Sequence, residues 1–345
     1  MSDREARKRS TLRDVARRSG VSVATVSRVL NAPMRVSQAT RERVQSAITE
    51  LRFFPSAAAR AINSGRTRLV GALVPTLDNA IFARFLEALE GGLAERGLSL
   101  VVATTNGDPE REAAKAQSLI DCGAEGLVLS GVTRAASFDA LVERAQMPVI
   151  ATSYFDPDYR YPTIGYENGT VARIALSHLI DLGHREIAVL HGPVHNNDRT
   201  RARLQGLEPP KNITLCHWET DLSVGGGSAA VNRLLSGRMP TAILCLSDVL
   251  ATGALYALRR HGIAVPEQTS VMGIDDLPSS AFTRPALTTV RLQVREMGAA
   301  TAEALADWIE EGHRPEPRDL GPKLIVRETA APPVAGVNDG RKTRR

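Results

Sequence analysis

The sequence predicts an all-α helix-turn-helix domain at the N-terminus and an α/β body of two lobes behind it, and three observations carry that reading. Two short amphipathic helical patterns flank a Gly-Val-Ser turn before residue 32. From Leu69 onward, short apolar runs alternate with amphipathic stretches of helical length. Charge is also divided unequally: residues 1–68 hold 15 Lys and Arg against 5 Asp and Glu, so with +5 for the whole chain the remainder carries −5. A basic end on a mildly acidic body suits a chain whose one end meets a polyanion.

The 345 residues, 43% of them hydrophobic, fit a multidomain protein with one or two ordinary cores. Met1 to Ser10 has charges but no apolar leader, and no later run approaches the roughly 18 apolar residues of a membrane span. A soluble protein of the cytoplasm, with no membrane partner, is therefore expected. Cys122, Cys216 and Cys245 lie far apart without C-x-x-C spacing, which predicts reduced, buried thiols rather than a disulfide framework or a zinc site.

Residues 1–10 read as a disordered basic tail and 11–55 as the helix-turn-helix. Thr11 to Gly20 forms a helix with Leu12, Val15 and Ala16 on one face, closed by Gly20. Val21-Ser22 is the turn. Val23 to Asn31 forms the second helix, with Val26, Val29 and Leu30 inward and Ala24, Thr25, Ser27 and Arg28 outside. A third helix, capped by Ser37, brings Val44, Ile48 and Leu51 over the other two.

The run TLRDVARRSGVSVATVSRVLN, Thr11 to Asn31, resembles the lactose-repressor (LacI/GalR) family of regulators, and the resemblance continues to about Glu328. Residue chemistry agrees with it. Ser22, Thr25 and Ser27 are short hydroxyls able to bond phosphates without holding a helix out of the major groove, against an alternative of ordinary capping and solvated surface. Arg28 can fork onto guanine, a contact worth roughly 1–3 kcal/mol of discrimination. The resemblance implies that Val23 and Ala24 read bases and that Asn31, Ser37 and Thr40 contact phosphates. Simple helix packing is the alternative for Val23 and Ala24.

Residues 56–68 read as a hinge helix and linker: Pro55 ends the preceding helix, Ser56 can cap a new one, and Gly65 closes it. So short a helix is marginal alone, which suits a hinge that folds on DNA. By resemblance Ala59 and Ile62 meet the minor groove, with Ile62 where the family carries a wedging leucine; an ordinary linker with Ile62 packed on the body is the alternative.

The body is expected over 69–328 and a disordered tail over 329–345. Apolar runs at 69–74, 98–105, 126–130 and 149–152, with helices at 81–96 and 109–122, predict a parallel sheet with crossover helices. Runs at 163–166, 187–192, 213–217, 242–247 and 271–274 form a second series, so two lobes should enclose a cleft at the carboxyl ends of their strands. The resemblance makes the body periplasmic-binding-protein-like, with three crossings between lobes, the second marked by Thr288-Thr289-Val290. Carried over by motif, Arg203 and Asp275 face a small-molecule effector, a sugar or related metabolite; an interlobe salt bridge or a helix cap is the alternative. Phe82 would pack on an apolar ligand face, with an ordinary core position as the alternative. Ser153, Leu222 and Ser247 stand at ligand positions where the family has more polar or aromatic residues, and Leu292 departs from the pattern similarly.

No phosphate-binding loop G-x-x-x-x-G-K-[ST] and no G-x-S-x-G elbow occurs, so no enzyme and no cofactor are expected. A secreted solute-binding protein would not need residues 11–68, and a purely structural DNA-binding protein would not need a cleft. One helix-turn-helix reads few base pairs, so a homodimer on near-palindromic double-stranded operator DNA is expected, with no C-terminal heptad for a tetramer. Repression is the expected output. Whether the effector releases or tightens binding stays open.

Overall fold

The computed structural model describes residues 10–54 and 65–334. The chain divides into two compact units between Thr67 and Arg68.

In the first unit, helix α1 (Leu12–Ser19) begins at a reciprocal cap: the Asp14 N–H donates to the Thr11 hydroxyl and the Thr11 N–H to the Asp14 carboxylate at 2.9 Å. It ends at Gly20, whose φ of +68° lets its N–H turn back onto the Ala16 carbonyl. Helix α2 (Val23–Asn31) is capped by the Ser22 hydroxyl, which accepts from the Thr25 N–H. Helix α3 (Gln38–Glu50) follows one 3-10 turn at Pro33–Arg35. Val15, Val26 and Val44, one from each helix, are wholly buried at the centre, where the apolar spacing puts them. Ala47 and Phe53, not singled out by that spacing, complete the core. Two local expectations change. Ser37 occupies the cap position of α3, but its hydroxyl donates to Thr40 Oγ1 at 3.0 Å rather than capping the backbone. Ser10 belongs to the folded unit, because its hydroxyl donates to the Leu51 carbonyl at 2.9 Å.

The second unit holds two sheets. Strands β1 (Leu69–Val74), β2 (Ser99–Thr104), β3 (Ala124–Ser130), β4 (Val149–Thr152), β5 (Thr163–Gly165) and β11 (Arg318–Asp319) build the first, in the order β11-β5-β4-β3-β1-β2. Strands β6 (Glu186–His191), β7 (Thr214–Glu219), β8 (Ala242–Cys245), β9 (Ser270–Asp275), β10 (Thr288–Arg291) and β12 (Lys323–Ile325) build the second, β12-β10-β9-β8-β6-β7. The two orders match strand for strand. Central strands β1, β3, β4, β8 and β9 are buried on both faces by helices, which explains their unbroken apolar runs. Edge strands β2 and β7 contain no fully buried residue.

Helices α4 (Ala80–Glu95), α5 (Pro109–Asp121), α6 (Ala136–Ala145) and α11 (Val294–Glu311) pack in the first lobe. Helices α7 (Asn168–Asp181), α8 (Asp198–Gln205), α9 (Val224–Leu234) and α10 (Asp248–Arg260) pack in the second. The chain thus crosses between lobes before α7, between β10 and α11, and between β11 and β12.

Several expectations are corrected. The run at 163–166, read as opening the second series, supplies β5 of the first sheet, because its register pairs it with β4. Thr288–Val290 lie on β10 inside the second sheet, and the crossing follows at 292–293. The second sheet is not purely parallel: β12 returns antiparallel on β10. Only Cys245 is a buried thiol, Cys122 and Cys216 being exposed. The body also runs past Glu328, since Thr329 is fully buried and its hydroxyl accepts from the Thr288 N–H at 2.8 Å, while the Ala331 N–H donates to the Ser270 hydroxyl. The expectations for residues 1–9, for 55–64 with Ala59 and Ile62, and for 335–345 lie outside the described residues. Among the described residues no helix is long and apolar enough to cross a membrane.

Phe138, wholly buried beneath the first sheet and edge-on to Tyr161, is the largest side chain sealed in that core. Phe138→Ala should cost about 3–5 kcal/mol. In urea unfolding the midpoint should fall with little change in slope.

Candidate functional site

The first unit presents one face of α2 outward. Val23 is 43% exposed, and Ser22, Ala24 and Arg28 are exposed with it. Core packing therefore does not account for Val23 or Ala24, the alternative the sequence allowed. Ala24 and Arg28 are four residues apart, as are Val23 and Ser27, so these side chains share a helix face. Arg28 makes no ion pair among the described residues, leaving its guanidinium fork available. Ser22 and Thr25 are nearer to their capping alternative: their hydroxyls lie 2.9 Å apart at the start of α2. Ser37 and Thr40 pair in the same way at the start of α3. These hydroxyls mark two helix N-termini, each with backbone N–H groups suited to a phosphate. The side chain of Asn31, at the end of α2, is outside the described set.

In the second unit a cavity of about 450 Å³ opens between the lobes at the carboxyl ends of the strands. All six residues singled out for an effector line it: Phe82 near the start of α4, Ser153 after β4, Arg203 on α8, Leu222 before α9, Ser247 after β8 and Asp275 at the end of β9. Leu292 is buried but does not reach this cavity.

A buried guanidinium organises the floor. Arg203 is 7% exposed; its Nε donates to Asn168 Oδ1 at 3.0 Å and its Nη1 to the Leu246 carbonyl at 2.7 Å. Asn168 in turn donates to the Ser153 carbonyl at 3.0 Å, joining the start of α7 to the end of β4. The Asp275 carboxylate stands 3.9 Å from Arg203 Nη1, too far for a hydrogen bond, and takes its one close side-chain donor from Ser247 at 2.8 Å. Arg203 and Asp275 belong to the same lobe, so they form no interlobe salt bridge. Burial pushes the Asp275 carboxyl up to about 7, with Arg203 only partly offsetting it and the nearby Asp248 charge adding to it. Backbone strain accompanies the charge: φ is +125° at Asp275, +52° at Asp276 and +63° at Ser153.

Asp248, wholly buried, keeps Asp275 in that pose. Its Oδ2 accepts from Ser280 Oγ at 2.6 Å and the Leu277 N–H at 3.0 Å, and its Oδ1 from Thr289 Oγ1 at 2.6 Å. The loop that follows Asp275 is thereby tied down. Burial raises the Asp248 carboxyl as well, against these hydrogen bonds.

The lobes also meet at the rim. Asp198 Oδ2, at the start of α8, accepts from the backbone N–H groups of Val132 and Thr133 in the first lobe, and Arg201 donates to Thr133 Oγ1 at 2.8 Å. Beneath this seam, burial raises Glu112 to about 7 despite Arg134 at 3.2 Å. Arg199, which the sequence reading passed over, lines the cavity with Asn197. Its signal was present: Arg199 precedes Arg203 by four residues in RTRAR, so a helix that turns one toward the cleft turns both. His184 bridges Thr241 Oγ1 and the Ala331 carbonyl at 3.0 Å each.

Comparison with known proteins follows the same division. Residues 11–56 match the profile of bacterial regulatory proteins of the lacI family, and residues 176–330 that of a periplasmic binding protein-like domain. The HTH-type transcriptional repressor PurR of Haemophilus influenzae strain PittEE is 32% identical over 332 residues, covering 93% of this chain and 98% of that protein. The HTH-type transcriptional regulator reg1 of Streptomyces lividans is 33% identical over 340 residues, covering 93% and 96%. Among solved structures, the lac repressor dimer bound to operator and the anti-inducer ONPF has a TM-score of 0.83 at 27% identity, over 94% of this chain and 100% of that one. A complex of the transcriptional regulator CelR with cellobiose has a TM-score of 0.65 at 29% identity, over 93% and 100%.

The raised carboxyls link stability to pH. Asp275 and Glu112 have folded-state pKa values near 7, above their ordinary values, so the stability each contributes is complete at low pH and lost as pH rises through 7. His178, His184 and His217, held down by burial, act oppositely below pH 6.5, so the comparison is made between proteins rather than along one curve. Asp275→Asn with Glu112→Gln should gain unfolding free energy relative to the unsubstituted protein between pH 5 and 8 in urea titrations. A constant difference across that range would show that neither carboxyl holds its proton.

Proposed function

The chain belongs to the lacI family of bacterial regulatory proteins, and we propose that it is a repressor whose grip on an operator is set by a small metabolite held between its two α/β lobes. It is a DNA-binding transcription regulator. The observation that carries the finer reading is the pairing, within one chain, of an outward α2 face bearing Val23, Ala24 and Arg28 with an interlobe cavity of about 450 Å³. A cavity of that size suits a small molecule. Relatives named as repressors, PurR and the ribose operon repressor of Haemophilus influenzae among them, support repression as the output.

In this reading α2 enters the major groove. Val23 and Ala24 offer methyl groups to thymine, Arg28 forks onto guanine, and the helix starts at Ser22 and Ser37, with Thr25, Ser27, Asn31 and Thr40 nearby, hold phosphates. Two subunits are required, because one such helix covers too few base pairs to single out a site in a genome. The site is then near-palindromic, and Ala59 and Ile62 reach its minor groove. Working on DNA places the protein in the cytoplasm.

The cavity favours a hydroxylated metabolite of mixed polarity. Asp275 with Ser247 meets hydroxyls, Arg203 and Ser153 shape the floor, and Leu222 with Phe82 covers an apolar face. A ligand hydroxyl that donates to Asp275 favours its ionised form, so binding and proton release are linked. Coupling of roughly 1–3 kcal/mol between cleft and operator changes DNA affinity about 5- to 150-fold.

Selection from randomised duplex DNA with the purified protein should return a palindrome with two half-sites. Arg28→Ala should relax preference at one base pair in each half-site while keeping the rest; an unchanged motif removes Arg28 from base reading. A panel of hydroxylated metabolites, screened for a change in affinity for the selected duplex, should yield a ligand whose effect is lost in Asp275→Asn although that variant binds the duplex normally. A full response in the variant would place the ligand elsewhere.

A further inference from the structure

A second cavity, of about 290 Å³, shares Val294 with the first and begins one residue further along the chain, at Asp276. Its wall contains four arginines, Arg84, Arg291, Arg295 and Arg327, against the two carboxylates Asp276 and Glu296. Both lobes contribute. Arg84 on α4 and Arg295 on α11 come from the first, Arg291 on β10 and Arg327 after β12 from the second. The carboxylates do not neutralise this set. Asp276, 8% exposed, accepts from Arg291 Nε at 2.7 Å and from Arg327 Nη2 at 2.6 Å, so a single charge answers two. Glu87, outside the wall, holds Arg295 at 2.6 Å. Arg84 has no carboxylate partner among the described residues and donates only to the Asp276 carbonyl, at 3.2 Å.

Like charges gathered around a concave, partly desolvated space repel one another, and an anion in that space relieves the repulsion. Guanidinium forks are shaped for paired oxygens, and several forks facing one space favour a group with three acceptor oxygens over a carboxylate with two. We propose that this cavity is a second ligand site, for a phosphate group carried free or as a monoester, distinct from the effector cavity.

The position gives such a site a route to the first. Asp276 and Asp275 are neighbours in a backbone held at positive φ, one facing each cavity. A phosphate competing with Asp276 for Arg291 acts on the residue next to Asp275. It also joins Arg84 of one lobe to Arg291 of the other, so it binds best when the lobes keep their present spacing.

The test is calorimetric titration of the full-length protein with inorganic phosphate and separately with glycerol phosphate, ionic strength being held with sodium chloride because exposed arginines are screened by salt. Saturable binding of one phosphate group per chain is expected, weakened at least tenfold in Arg84→Gln and in Arg291→Gln, both checked for an unchanged unfolding transition and unchanged affinity for the selected duplex. The same loss from both variants supports the site even if one of them relaxes locally. Tighter binding of the monoester identifies a phosphorylated metabolite as the ligand, and equal binding identifies free phosphate. Absence of saturable binding, or binding that both variants retain, overturns the proposal. So does binding lost in Asp275→Asn but kept in both arginine variants, since that places phosphate in the first cavity.

Discussion

A single buried cation holds the ligand-facing architecture together. The Arg203 guanidinium lies on α8, yet its hydrogen bonds go to Asn168 at the first crossing between lobes and to the carbonyl of Leu246 at the end of β8. Asn168 passes the constraint on to the Ser153 carbonyl after β4. Three strand ends or helix starts are thus registered against one planar group, and none of those bonds involves a carboxylate. A charge so deeply placed is tolerated with the help of the two hydrogen bonds it donates into the frame, and removing it would leave their acceptors stranded in low dielectric.

The electrostatic character of the cleft follows from how Arg203 is used. With two of its donors committed to the frame, it stands too far from Asp275 to form a full ion pair, and burial dominates that carboxyl. Asp248 then does by hydrogen bonding what charge does not. It anchors Leu277, Ser280 and Thr289, so the strained Asp275–Asp276 corner cannot relax away from the cavity. A rigid corner and a reluctant anion together make a site that waits for a donor from outside the protein. Asp276, one residue on, carries the same rigidity into the arginine-lined cavity.

Much of this was legible in the chain. Helical spacing identified the three-helix core through Val15, Val26 and Val44, because an apolar stripe must face its partners whatever the wider context. Unbroken apolar runs identified the parallel strands, since strands covered on both faces admit few polar residues. The six cleft residues came from motif resemblance rather than from spacing, and all six line the cavity. Arg199 was legible by the same four-residue step that links it to Arg203. Other features had no local signal. The run at 163–166 looks the same whichever sheet it joins, Cys122 and Cys216 carry no mark of their exposure, and β12 is three residues whose direction depends on the last crossing.

The sequence by itself determined what depends on neighbours along the chain: helix and strand periods, the closing turn at Gly20, the basic first fifth, and the family motif. Tertiary structure alone decided what depends on neighbours in space. Arg203, Arg84 and Arg291 are identical side chains in the sequence; one became a buried frame, one a cation without a carboxylate partner among the described residues, and one half of a shared pair with Asp276. Asp275 and Asp276 are likewise adjacent and alike, yet one sits buried beside a hydroxyl at the effector cavity and the other beneath two guanidiniums. The physical reason is that the free energy of a charge is set by the dielectric and the partners within a few ångströms, and only the folded chain brings those partners together.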